Sequence, residues 1–191
     1  MARMMSHRSR CFWTAVSFLP LLLLVAGCGT AASDFDAGSL ASAPGMTKSG
    51  EFAIAPDFRV RDLDGNVVQL VDTTGDVRLI VFWATWCPPC REEIPLLNDL
   101  HTQYGEDGLH ILAISDESES VLRAFAKQHE MIYSNLVDDG EAYELYRPPG
   151  LPMALLVDGD GRIRDTFNGK TPRRALEPKI RELLNLLPLS S

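Results

Sequence analysis

Residues 77–85, VRLIVFWAT, run with one intervening tryptophan into Cys87-Pro88-Pro89-Cys90. No other stretch constrains the fold as tightly. The run is β-branched and aromatic almost throughout, the composition of a central strand buried on both faces. The two prolines then locate a helix start. Each disfavours the α region for the residue before it, which makes Cys87 the expected non-helical cap. Pro88 and Pro89 would occupy the first turn, where a missing N–H costs no intrahelical bond. Ile94, Leu97 and Leu100 continue at helical spacing to about Tyr104. A central strand ending at a helix N-terminus is a favoured place for an active site in an open α/β sheet.

Other segments alternate in the same way. FRVRDLDGNVVQL, residues 58–70, carries two short apolar runs about Asp64-Gly65, a hairpin signal. Residues 109–115 read as a second buried strand. Residues 119–129 read as a helix with Val121, Leu122 and Phe125 inward, and residues 141–146 as a short helix. Residues 153–158 and 162–168 form an expected hairpin about DGDG. Thr171 is the expected cap of a last helix with Pro172 at its first position. A kink is expected at Pro95, and a kink or break at Pro178. Strands alternating with helices give an α/β sandwich. A hairpin between the last two strands makes its sheet mixed.

The first 50 residues read differently. Arg3, Arg8 and Arg10 precede an uncharged, mostly apolar stretch, residues 11–26, that has the form of a secretory signal and is short for a membrane-spanning helix. It ends in Val25-Ala26-Gly27-Cys28, which resembles the lipobox of bacterial lipoproteins. That resemblance implies cleavage before Cys28 and a lipid on its sulfur; a plain signal peptide with an incidental cysteine is the alternative. Residues 29–50, rich in Gly, Ala and Ser, read as a tether spanning roughly 25 Å. The expected organisation is a signal peptide over 1–27, a tether over 28–50 and one folded domain over 51–191. Without the signal, 15 basic residues face 26 acidic ones, a formal charge of −11. This argues against nucleic acid as a partner and against electrostatic attachment to anionic lipid. Membrane attachment would come through the lipid.

Cysteine usage narrows the chemistry. Cys11 leaves with the signal and Cys28 takes the lipid, so Cys87 and Cys90 remain as thiols in a compartment that permits disulfides. A disulfide between them closes almost no loop and adds little stability through chain entropy. Zinc usually needs four ligands, yet there is no second cysteine pair, and His101, His110 and His129 are isolated, so no metal is expected. Electron exchange is the remaining use. At the positive end of a helix dipole the Cys87 thiolate is stabilised, and the thiolate is the attacking species in exchange. Cys90 lies one turn along and can reach back. Glu93, three residues beyond Cys90, shares its helical face. It is either a carboxylate that handles the thiol proton or, like Glu92, a solvated helix charge.

FWATWCPPC resembles the active-site strand and turn of thioredoxin-like proteins. Together with APDFRVRDLDGNVVQL (residues 55–70), WCPPCREEIPLL and GLPMALLVDGDGRI (150–163), it is similar to the TlpA/ResA group of membrane-anchored thiol–disulfide oxidoreductases, over residues 51–187. The resemblance implies a thioredoxin-like sandwich with an N-terminal β-hairpin extension. It makes Cys87 the attacking cysteine, Cys90 the resolving one and Glu93 the family's acidic residue. Pro152 would follow a cis peptide bond, turning the Leu151 backbone toward a substrate that could pair with it as an added strand. Trp86 matches the aromatic beside the pair, either for packing or for substrate contact. The implied partners are protein disulfides, apocytochrome c or a copper-site assembly protein among them, and an upstream membrane electron donor. The implied place is the extracytoplasmic side of a membrane, and no cofactor is expected. Two departures stand out. Val81 occupies the position of thioredoxin's buried aspartate, and Met153 follows the proline where many relatives carry threonine. APDF also occurs in peroxiredoxins. Thr85, however, stands two residues before Cys87 rather than three, and the close second cysteine fits exchange better, so a peroxidase is the alternative reading. A metal-delivery module on the same fold is the other.

Overall fold

The computed structural model describes residues 52–74 and 76–185. Cys28, the expected signal over 1–27 and the tether over 28–50 lie outside the described residues. Seven strands and four α-helices follow one another: β1 (Arg59–Asp62), β2 (Val67–Gln69), β3 (Val77–Phe82), α1 (Pro88–Tyr104), β4 (Leu109–Ser115), α2 (Glu119–Gln128), β5 (Ser134–Val137), α3 (Glu141–Tyr146), β6 (Met153–Val157), β7 (Ile163–Asn168) and α4 (Arg173–Leu183). The strands form one mixed sheet in the order β2-β1-β5-β4-β3-β6-β7. β3, β4 and β5 are parallel; β6 and β7 run antiparallel on one side, and the β1–β2 hairpin joins antiparallel on the other. Among the described residues no helix is long and apolar enough to cross a membrane.

All six residues of β3 are buried. Because successive strand side chains point to opposite faces, β3 feeds two separate cores. Leu79 and Val81 join Leu97 and Leu100 of α1, Leu122 of α2, and Leu176 and Ile180 of α4. Ile80 and Phe82 join Phe58, Val60, Ala142 and Tyr146. The second core also ties in the start of the domain, since the Tyr146 hydroxyl donates to the carbonyl of Pro56 at 2.6 Å.

The β3–β6 register positions the site. Phe82 pairs with Met153 and Val81 with Ala154. One step further, Trp83 at the exit of β3 and Pro152 at the entry to β6 come side by side. The Cys-Pro-Pro-Cys turn and the Gly-Leu-Pro turn therefore meet at the same end of the sheet.

The structure changes several expectations. β5 was not anticipated: Ser134 and Asn135 break the apolar run, and the strand is buried because β4 and β1 flank it. Val121 is 44% exposed, while Leu122 and Ala126, four residues apart, form the inward stripe of α2. Pro172 is the cap of α4 rather than its first residue, with ψ of 147°, so the helix starts at Arg173. Thr171 is buried there, and its N–H is bonded elsewhere. Pro178 does not break α4, which is continuous to Leu183. An N–H missing at one position leaves the neighbouring intrahelical bonds in place, and Pro178 itself is exposed.

These burials separate two adjacent residues. Leu122→Ala should lower unfolding free energy by about 2–5 kcal/mol, whereas Val121→Ala should change it by less than about 0.5 kcal/mol. Urea denaturation of both variants checks the inward face of α2.

Candidate active site

Cys87 caps α1 with extended backbone (φ −88°, ψ 108°), and Pro88 and Pro89 fill the first turn. The Cys87 N–H donates back to Ala84 at 3.1 Å, and the Arg91 N–H donates to the Cys87 carbonyl at 3.2 Å. A disulfide joins Cys87 to Cys90 across a Cα separation of 5.3 Å. Both cysteines are buried and belong to the same core as Trp83 and Ala84. Trp86, next to Cys87, is 69% exposed.

The turn from β3 to α1 is held from the side by the exit of β4 and by α3. The Trp83 N–H donates to Ile114 at 3.1 Å. The Tyr143 hydroxyl donates to the Trp83 carbonyl at 3.3 Å. Thr85 donates its backbone N–H and its hydroxyl to the two carboxylate oxygens of Glu117, each at 2.7 Å.

Glu93 and Glu92 differ as their helical positions require. Glu92 is exposed and paired with Lys170 at 2.5 Å. Glu93 is 5% exposed, and its Oε1 accepts the N–H of Thr171 at 2.5 Å. Burial pushes the Glu93 carboxyl up to about 6, against the opposing pull of the Thr171 N–H and the Lys170 charge. Buried Tyr133 is close enough to feel it: burial, and then the charge of Glu93, hold the phenol above its ordinary value. The position of thioredoxin's aspartate is filled by Val81, which is buried.

The Leu151–Pro152 peptide bond is cis. Pro152 is buried; Leu151, two residues before the first residue of β6, packs partly against both cores. The loop after β7 links this proline to Glu93. The Gly169 N–H donates to the Pro152 carbonyl at 2.8 Å, and two residues later Thr171 donates to Glu93. The structure thus brings Trp86, Cys87, Cys90, Glu93, Leu151 and Pro152 to one end of the sheet. Sequence reasoning missed Thr171, Tyr133 and Glu117. Loops bring Thr171 and Tyr133 to Glu93 and Glu117 to Thr85, and none of the three is marked by spacing from the cysteines.

A disulfide closing so short a loop adds little stability through chain entropy. A mixed sheet with such a disulfide at a helix start, and a cis proline at the entry to the strand that pairs with β3, is the architecture of a thioredoxin-fold thiol–disulfide oxidoreductase. Comparison with known proteins agrees. Residues 53–166 match the model of the AhpC/TSA family, and the chain belongs to that family. It is 34% identical over 131 residues to the thiol-disulfide oxidoreductase ResA of Bacillus thuringiensis subsp. konkukian, covering 68% of this chain and 76% of that one. It is 33% identical to the thioredoxin-like protein YneN of Bacillus subtilis, over 66% of this chain and 76% of that one. Among solved structures, a candidate thiol:disulfide interchange protein DsbE from Chlorobium tepidum superposes with a TM-score of 0.66 at 31% identity, covering 70% of this chain and 97% of the other.

The Glu93 environment sets a pH dependence of stability. Its folded value of about 6 lies above the ordinary 4.5, so between these pH values the native state binds more protons than the unfolded chain. Stability from this group is present below pH 4.5 and is lost as pH rises through about 6. The expected loss in the oxidised protein is about 1–2 kcal/mol. Glu93→Gln should flatten the profile in that window, read by urea denaturation across it, while Glu92→Gln should leave it unchanged.

Proposed function

We propose that the chain exchanges electrons with protein disulfides through Cys87 and Cys90, as a reductant anchored outside a membrane by lipid on Cys28. The observation that carries the exchange is the disulfide at the cap of α1, next to a buried carboxylate and a cis proline.

The reduced pair begins the cycle. The Cys87 thiolate, favoured at the helix N-terminus, attacks one sulfur of the substrate disulfide. A mixed disulfide forms and the other substrate sulfur leaves as a thiolate, which takes up a proton. Cys90 then loses its proton to Glu93 and attacks the Cys87 sulfur, releasing the second substrate thiol. The substrate ends as a dithiol and the chain as the Cys87–Cys90 disulfide. A membrane dithiol donor restores the reduced pair. Glu93 suits the proton role because a carboxyl at about 6 both accepts and returns a proton near neutral pH. Trp86, exposed beside Cys87, and the Leu151 backbone ahead of Pro152 are the substrate-facing groups. Leu151 would pair with an extended substrate segment as an added strand.

The direction and the partners rest on the likeness to ResA proteins. Apocytochrome c or a copper-site assembly protein is the proposed class of substrate. The reduction potential of the pair tests the direction: a value well below that of the strong oxidants of disulfide formation supports a reductant, and one near theirs overturns it.

Two experiments test the roles. Cys87→Ser should abolish exchange, whereas Cys90→Ser should accumulate mixed disulfides separable on non-reducing gels; trapping by Cys87→Ser instead reverses the assignment. In a bacterial host that processes lipoproteins, the wild-type chain should take up labelled palmitate and pellet with membranes, and Cys28→Ala should do neither.

A further inference from the structure

We propose that Glu117 is a positioning residue for exchange: it holds the Thr85–Trp86 turn in its reactive geometry once the Cys87–Cys90 bond is open. The proposal rests on reading those two cysteines as the exchanging pair.

The turn has two kinds of restraint. One is covalent, the disulfide that ties Cys87 to α1 through Cys90. The other is polar and comes from the opposite side, where β4 ends and α3 packs. Trp83 is bonded to Ile114 and to the Tyr143 hydroxyl, but both contacts lie four residues before Cys87. Close to Cys87, the polar restraint from β4 is Glu117, which accepts both the N–H and the hydroxyl of Thr85 at 2.7 Å. Hydrogen bonds to a carboxylate are shorter and stronger than neutral ones. The carboxylate is itself oriented: the Ser115 hydroxyl donates to Glu117 Oε2 at 3.3 Å and accepts the Glu117 N–H at 3.3 Å. Ser115 is fully buried, so this base does not shift with solvent.

The next residue is Trp86, 69% exposed and so held mainly by its backbone neighbours. In the oxidised protein Thr85 is held by Glu117, and Cys87 by the disulfide in addition to the backbone bonds of its N–H to Ala84 and of the Arg91 N–H to its carbonyl. Reduction removes the disulfide and leaves the turn to its hydrogen bonds, of which the pair to Glu117 is the one that reaches across from the β4 side. Glu117 therefore contributes more to the reduced state than to the oxidised one. An interaction that favours the reduced state raises the reduction potential of the pair. It also keeps the Trp86 surface and the Cys87 sulfur pre-oriented for a protein substrate, which must match both, whereas a small disulfide needs only the sulfur.

The test compares Glu117→Ala and Thr85→Val with wild type, and with Thr85→Ser as the conservative variant. Thiol–disulfide equilibrium against glutathione is measured below the pH at which the thiols ionise, so that the lost charge does not act through a thiolate. Glu117→Ala should make the disulfide harder to reduce by about tenfold in the equilibrium constant, ~30 mV for a two-electron couple. Thr85→Val should move in the same direction by less, and Thr85→Ser should stay near wild type. For Glu117→Ala, kcat/KM should fall further with a protein disulfide than with a small one. Urea denaturation should show the reduced form losing more stability than the oxidised form. If Glu117→Ala fails to fold, Thr85→Val carries the same comparison. Unchanged potentials with equal stability losses in both redox forms would make Glu117 a purely structural clamp and overturn the proposal. A wild-type pair that does not exchange with glutathione at all would instead overturn the reading of Cys87 and Cys90.

Discussion

Six successive buried residues in β3 impose the condition that the rest of the molecule meets. A strand with no exposed face needs cover above and below and a partner on each edge. Parallel β4 and antiparallel β6 supply the edges, α1 and α4 one face, and α3 with the first residues of the domain the other. The antiparallel choice on the β6 side has a chemical consequence. A parallel neighbour would enter its pairing with β3 at the far end of the sheet. β6 enters where β3 exits, so the loop before β6 arrives beside the loop after β3. Cis Pro152 and the cysteine turn are neighbours for that reason, although more than 60 residues separate them in the chain.

The same burial governs the electrostatics. Val81 seals the core where a carboxylate could have stood, and the acid comes instead from α1, one turn beyond Cys90. Glu93 is desolvated enough to be driven up to about 6, and the Thr171 N–H keeps it from going further. Thr171 precedes the Pro172 cap of α4, where a backbone N–H has no intrahelical acceptor and is available to the buried carboxyl. The loop that makes this contact also holds the Pro152 carbonyl through Gly169, so the cis proline and the Glu93 carboxyl share one support.

Two glutamates near the cysteine turn are held in different ways. Glu93 is placed by helical periodicity, three residues after Cys90. Glu117 is placed by tertiary pairing, on the loop that leaves β4 after β4 has paired with β3. The first follows from the helical spacing of α1. The second is visible only as a pair of 2.7 Å hydrogen bonds.

Local rules in the sequence determined the central strand, the start of α1 at Pro88, the cap position of Cys87, and the β6–β7 hairpin. Each depends on residues within a turn or two: β-branched runs, proline's restriction of the residue before it, and glycine at a tight turn. The same local logic put Glu93 on the face of Cys90 and Glu92 away from it. Tertiary structure alone decided what depends on neighbours distant in sequence. Ser134 and Asn135 carry no strand pattern of their own, and β5 forms because β4 and β1 flank it. Val121 and Leu122 are equally apolar, and only the placing of α2 on the sheet buries the second rather than the first. Which backbone N–H a buried carboxylate receives, and which carboxylate reaches the turn before Cys87, follow from how strands and loops pack. Side-chain pattern encodes periodicity, and periodicity does not say which distant loop arrives opposite.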